Sequence, residues 1–140
     1  MNEKYSAGEN NVMILACSGG SNVGQLSNQA AVELSQEGFG KMSCLAGIGG
    51  QLPGFVQSAR DVPVMVAIGG CQAGCAKEIL EQAQVHLKCY VVITDEGIEK
   101  NKNFNLQRAD IDRVKEVVKR TVSETRPAHS ETSSSRCDWG

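Results

Sequence analysis

Short runs of consecutive apolar residues alternate along this chain with longer stretches in which apolar positions recur every three or four residues. Asn11 to Ala16 (NVMILA) is the first run, and Ser21 to Glu37 then sets Val23, Leu26, Ala30 and Leu34 at helical spacing before Gly38. A strand is followed by a helix. Lys41 to Leu45 reads as a weaker strand, followed by a glycine-rich loop (Gly47, Gly49, Gly50) and a short helix around Gly54 to Ala59. Val62 to Ile68 (VPVMVAI) reads as a buried strand and Ala73 to His86 as a helix carrying Ile79, Leu80 and Ala83. Cys89 to Thr94 (CYVVIT) is a fourth strand, and Ile111, Val114, Val118 and Val122 mark a last amphipathic helix.

Continuous apolar strands joined through helices predict a parallel sheet covered on both faces. The expected fold is a single doubly wound α/β domain with a mainly parallel four-stranded sheet and flanking helices. Right-handed crossovers and the flavodoxin-like pattern suggest strand order 2-1-3-4. The domain is expected over residues 1–124. Residues 125–140, which include the polar and serine-rich RPAHSETSSSRCDWG, are expected to form a disordered C-terminal tail, because they lack apolar periodicity.

A chain of 140 residues, 41% hydrophobic and 21% charged, is long enough for one ordinary core and too short for two. The formal charge of −2 comes from interspersed acids and bases, so no electrostatic footprint for nucleic acid or a membrane surface is visible. Met1 to Asn11 is polar, and Val12 to Ala16 is too short for a signal-peptide core or a membrane span. A cytoplasmic location is therefore expected. There the six cysteines would be reduced, and a chain this rich in Val, Ile and Leu needs no disulfide scaffold. Metal binding or thiol chemistry becomes the better account of them.

Functional groups of an open parallel sheet gather at the carboxyl edge of the strands, where the loops open on one side. Cys17 follows the first predicted strand, Cys44 lies near the end of the second, and Cys71 follows the third through Gly69 and Gly70. Cys75 is four residues beyond Cys71, close enough along a loop entering a helix to bring the two sulfurs together. These four are expected to share one site. Strand-to-helix junctions present free N–H groups that favour thiolate, and four clustered thiolates need a cation. A tetrahedral zinc ion meets that need, with an iron–sulfur cluster as the alternative metal group. Cys89 starts the fourth strand at the opposite edge and reads as a small buried hydrophobe. Cys137 reads as a tail thiol without structural role.

Other chemistries fit less well. Gly19 to Leu26 (GGSNVGQL) has phosphate-loop glycine spacing, but Gln25 and Leu26 stand where Lys and Ser/Thr are required. A cysteine phosphatase loop would need an arginine where Val23 stands. No C-x-x-C occurs, so a redox or sulfur-transfer enzyme would have to use Cys71 or Cys75 as nucleophile. His86 and His129 are poorly placed as bases for Cys17, while Asp95 and Glu96 follow the fourth strand and face the presumed functional edge.

The segments CSGGSNVGQLSNQAA (Cys17 to Ala31), MSCLAGIGG (Met42 to Gly50), GGCQAGCAK (Gly69 to Lys77) and TDEGIEK (Thr94 to Lys100) resemble the DGC family. These are small proteins associated with zinc binding through four cysteines and named for an Asp-Gly-Cys tripeptide. The resemblance runs from Val12 to Val122 and implies zinc ligation by Cys17, Cys44, Cys71 and Cys75, without implying a defined activity. One departure stands out: the tripeptide's aspartate is Gly69 here, so the chain reads Gly-Gly-Cys.

Overall fold

The structure is a computed structural model and describes residues 12–125. In chain order the elements are β1 (Val12–Ala16), α1 (Asn22–Gln36), β2 (Lys41–Met42), α2 (Leu45–Gly49), α3 (Pro53–Asp61), β3 (Val64–Gly69), α4 (Cys75–Gln82), β4 (Cys89–Val92), a 3₁₀ turn (Ile93–Glu96) and α5 (Arg108–Thr125). The four strands form one parallel sheet in the order β2-β1-β3-β4. The expected class and strand order are both present. The expected tail lies, beyond Thr125, outside the described residues.

Side-chain alternation along β1 and β3 divides the interior into two cores. Val12, Ile14, Val64, Val66 and Ile68 pack with Val23, Leu26, Ala30 and Leu34 of α1 and Ile111, Val114, Val118 and Val122 of α5. On the other face Met13, Leu15, Met65 and Ala67 meet Leu45 and Ile48 of α2, Ala59 of α3, and Ala76 and Leu80 of α4. Both faces of the central strands are fully covered, which is why their sequences are continuous apolar runs.

Helix α1 starts where Ser21 Oγ accepts the Gly24 N–H at 3.1 Å, and it stops before Gly38, whose φ is +86°. Its outer edge is tied to α5 by charge. Glu33 contacts Arg108 and lies 3.0 Å from Lys115, and Lys115 also pairs with Glu37. The guanidinium of Arg108, with Gln29 and Lys115, pulls the Glu33 carboxyl down to about 2.

Several boundaries differ from the apolar pattern. The helix expected over Ala73 to His86 begins at Cys75, after Gly74 at φ +74°, and ends at Gln82; Gln84 then turns back at φ +59° so that Val85 enters the second core. The glycine loop after β2 contains helix α2, which a glycine-rich sequence hides because its propensity is poor; Leu45 and Ile48 fix it by burial. Strand β2 is only Lys41–Met42; Ser43 still gives its N–H to the Ile14 carbonyl at 3.0 Å, and the extended Cys44 then caps the helix. Strand β3 starts at Val64, since Pro63 has no N–H to give a ladder. The last strand ends at Val92, and its buried continuation, Ile93, belongs to the 3₁₀ turn. Among the described residues no helix is long and apolar enough to cross a membrane.

Candidate functional site

At the carboxyl edge the chain leaves β1 through Cys17, whose N–H still donates to the Ile68 carbonyl at 3.0 Å. Beneath it, the buried Ser27 hydroxyl donates to the Cys17 carbonyl at 2.6 Å, with the Ile68 carbonyl 3.2 Å away, fixing the ends of β1 and β3 from α1. The loop Ser18 to Gly20 then lies directly on α1. A Cβ at Gly24 would stand 2.6 Å from the Gly19 carbonyl oxygen, so only glycine admits that approach.

The far wall is the segment after the 3₁₀ turn, which crosses back over the start of α1. Asn22 clamps it from both sides: its side-chain amide donates to the Glu99 carbonyl at 2.9 Å, and its Oδ1 accepts the Asn101 N–H at 2.6 Å. The backbone adds the Asn22 N–H to the Asn101 carbonyl at 2.9 Å. This clamp presents Lys100 and Lys102 inward. Lys100 Nζ donates to Cys71 Sγ at 3.4 Å, and Lys102 Nζ to the Gly20 carbonyl at 2.6 Å.

Between these walls is a cavity of about 170 Å³ lined by Cys17, Cys71 and Cys75 together with Lys100, Lys102 and glycine backbone. Cys17 and Cys71 are half-buried and Cys75, the first residue of α4, is exposed. The Ala73 N–H first, and then the Lys100 ammonium, hold the Cys71 thiol below its ordinary value, as expected for a sulfur facing donors and a cation. The Cys71–Cys75 loop is anchored from the fourth strand's side by Gln72, whose amide donates to Asp95 at 2.6 Å. Asp95 thus holds the loop.

Cys44 is placed differently. It caps α2, its Sγ accepting the Gly47 N–H at 3.3 Å, and it opens onto a separate cavity of about 950 Å³ with Ala16, Met42, Leu45, Leu52 and Phe55. The segment Ala16 to Ser18 is the divide: Ala16 and Ser18 line this larger cavity while Cys17 lines the smaller one. Three of the four cysteines therefore share one space, and the fourth borders the next. Among the described residues no three Cys, His, Asp or Glu side chains stand close enough to hold a metal ion at their present spacing. Cys89 is fully buried in the first core, 3.5 Å from the Thr125 hydroxyl, far down the strand from this edge. Cys137 and His129 lie outside the described residues.

Lys100, Lys102 and Asn22 were not singled out from sequence, because they reach the site through a crossing segment without regular structure. A pair of lysines two apart, just beyond the fourth strand, was the available signal.

Residues 13–118 match the DGC domain family. The anaerobic and virulence modulator AnvM of Pseudomonas aeruginosa is 33% identical over 102 residues, which span 73% of this chain and 78% of the relative. No solved structure matches the chain.

Proposed function

The chain belongs to the DGC domain family, and from that premise we propose that it binds a zinc ion through the thiolates of Cys17, Cys71 and Cys75, with Cys44 as the fourth ligand. The observation that carries this reading is that three cysteines from two different strand ends line one small cavity at the carboxyl edge of the sheet. The donor set suits zinc in kind: soft, anionic sulfur, with one thiol already biased toward thiolate. At the present spacing no three of these donors would hold an ion, so binding requires the sulfurs to draw together and Cys44 to join them by a movement of the short helix α2. Four thiolates leave a zinc centre with a net negative charge, which Lys100 and Lys102 offset. A closed sulfur shell leaves no position for a reactive water, which favours a structural, metal-handling or sensing role over hydrolysis.

A second reading has its own support. Lys100 bonded to Cys71 is also how a nucleophilic thiolate is prepared, which points to a redox or sulfur-transfer enzyme.

Anaerobic purification followed by elemental analysis and an absorption spectrum tests the first reading. The expected result is about one colourless metal per chain, identified as zinc, and its loss in Cys17→Ser, Cys71→Ser and Cys75→Ser. Visible absorption with bound iron would replace zinc by a cluster. Wild-type protein without metal, or full retention in all three variants, would sink the shared site.

A further inference from the structure

The cavity of about 950 Å³ that runs along β2 and under α2 and α3 has the size of a small-molecule site. Among the described residues three large apolar side chains are exposed, and two of them, Leu52 and Phe55, line this cavity. The fold holds them there. A Cβ on Gly47 would stand 2.6 Å from Phe55 Cδ2, so the ring rests against the bare backbone of α2, and the Leu52 N–H donates to the Gly47 carbonyl at 3.0 Å. Met42 and Leu45 extend the apolar wall. Polar groups interrupt it: Asn28 and Ser43 line the cavity half-buried, and neither side chain has a hydrogen-bond partner among the described residues. Among those residues no acid lines the cavity, and its one charged residue, Lys41, already has an interaction. Nothing in the wall therefore selects an ion. A peptide adding to the strand edge is also poorly served, because the Met42 N–H is taken by Ser35 Oγ at 3.1 Å and the Ser43 N–H is given inward to the Ile14 carbonyl.

We propose that this cavity binds a small uncharged molecule with an aromatic or alkyl body and a hydrogen-bonding group. The body covers Leu52, Phe55 and Met42, which removes from water the largest apolar side chains the fold leaves open at this edge, and the polar group meets Asn28 or Ser43. The site stands apart from the thiol cavity and asks nothing of the metal reading. Cys44 lines it as a neighbour and serves only to report occupancy.

The test uses the full-length, metal-free protein and N-phenyl-naphthylamine, an uncharged aromatic amine whose fluorescence rises in apolar surroundings. Saturable enhancement is expected, with affinity reduced about tenfold in Leu52→Asp and in Phe55→Ser. Phe104→Ser, at an exposed apolar residue outside the cavity, binds as wild type. If Phe55→Ser does not fold, Leu52→Asp decides, since half of that side chain is already in solvent. Bound probe also slows iodoacetamide labelling of Cys44 and spares Cys75, an exposed thiol on the other cavity. Absence of saturable enhancement, equal affinity in wild type and Leu52→Asp, or equal protection of Cys44 and Cys75 overturns the proposal. Tighter binding of the anionic analogue anilinonaphthalene sulfonate overturns the uncharged class. Sedimentation of the unliganded protein covers the other occupant: a monomer is expected, and a dimer that Leu52→Asp dissociates would make this face a contact between two copies and overturn the ligand site.

Discussion

The two layers that sandwich the sheet are built on different terms. On one face, α1 and α5 are helices of 15 and 18 residues, packed on the sheet by regular apolar stripes and tied to each other by the Glu33, Glu37, Arg108 and Lys115 network. On the other, α2, α3 and α4 have 5, 9 and 8 residues, and Leu52 and Phe55 remain exposed beside a large open cavity. Cys44 and Cys75 sit at the starts of α2 and α4, on the second layer. The contrast separates two jobs: the long-helix layer carries the longer regular stripes of packing, and the short-helix layer carries Cys44 and Cys75 at the starts of its helices.

The largest expected effect comes from breaking the long-helix layer. Leu34 is fully buried between α1 and the sheet, so Leu34→Ala removes its burial and leaves a cavity, costing about 2–5 kcal/mol in chemical denaturation. Leu52→Ser, in the opposite layer and half-exposed, is expected to stay within about 0.5 kcal/mol. Comparable losses in the two variants would show that the layers are equally committed to the fold.

Metal should act at the carboxyl edge, where the cysteine-lined cavity lies, and not in the packing of Leu34. Zinc at 100 times its dissociation constant raises unfolding stability by about 2.7 kcal/mol if it binds only the native state. That gain is expected to vanish in Cys71→Ser and to survive in Leu34→Ala. A gain that persists in the cysteine variant would place the ion elsewhere.

The same contrast decides what the sequence made legible. The long-helix layer was readable because burial of a long helix imposes a stripe of Val23, Leu26, Ala30 and Leu34, and the strand order followed from right-handed crossovers and the flavodoxin-like pattern. The short-helix layer was not. Helix α2 rests on two buried side chains, Leu45 and Ile48, amid three glycines, too few to form a period. Of the site, placing Cys17, Cys71 and Cys75 on one edge needed only the rule that loops of a parallel sheet open together. That Cys44 faces a neighbouring cavity depends on the turn into α2, and that Lys100 reaches Cys71 depends on the Asn22 clamp, a contact between residues far apart in sequence. Neither has a local signal.

Acid should separate the layers again, by a smaller amount. The depressed values of Glu33 and Glu37 belong to the native state, so their contribution is present above the ordinary carboxylate range and is lost as pH falls from about 4.5 toward 2. Unfolding measured at steps across that window should show the decline, and Glu33→Gln should flatten part of it. Lys115→Ala removes one partner from each carboxylate while Arg108 keeps Glu33 and Lys119 keeps Glu37, so it is expected to cost about 1 kcal/mol or less at neutral pH, a loss that shrinks as pH falls and the carboxylates take up protons. A loss independent of pH would assign Lys115 a packing role instead.

The smallest effect bears on what Cys71 is for. Lys100 Nζ is within 3.4 Å of its sulfur, but the Ala73 N–H contributes more to stabilising the thiolate. Replacing Lys100 with Ala should therefore slow alkylation of metal-free Cys71 only about two- to fivefold at neutral pH, because the backbone donor remains and the less stabilised thiolate is the better nucleophile. The informative comparison is with zinc present. If Cys71 serves the metal, zinc protects it in both proteins, a chelator restores labelling, and the lysine variant holds zinc slightly more weakly for want of a cation beside a negatively charged centre. If Cys71 is a catalytic nucleophile, it labels faster than the exposed Cys44 in wild-type protein whether or not zinc is added, and the lysine carries most of that advantage. Protection by zinc with rates that differ by the small factor above is the expected outcome, since a cation bonded to one of three thiols around a common cavity is better placed to balance shared charge than to activate a single sulfur.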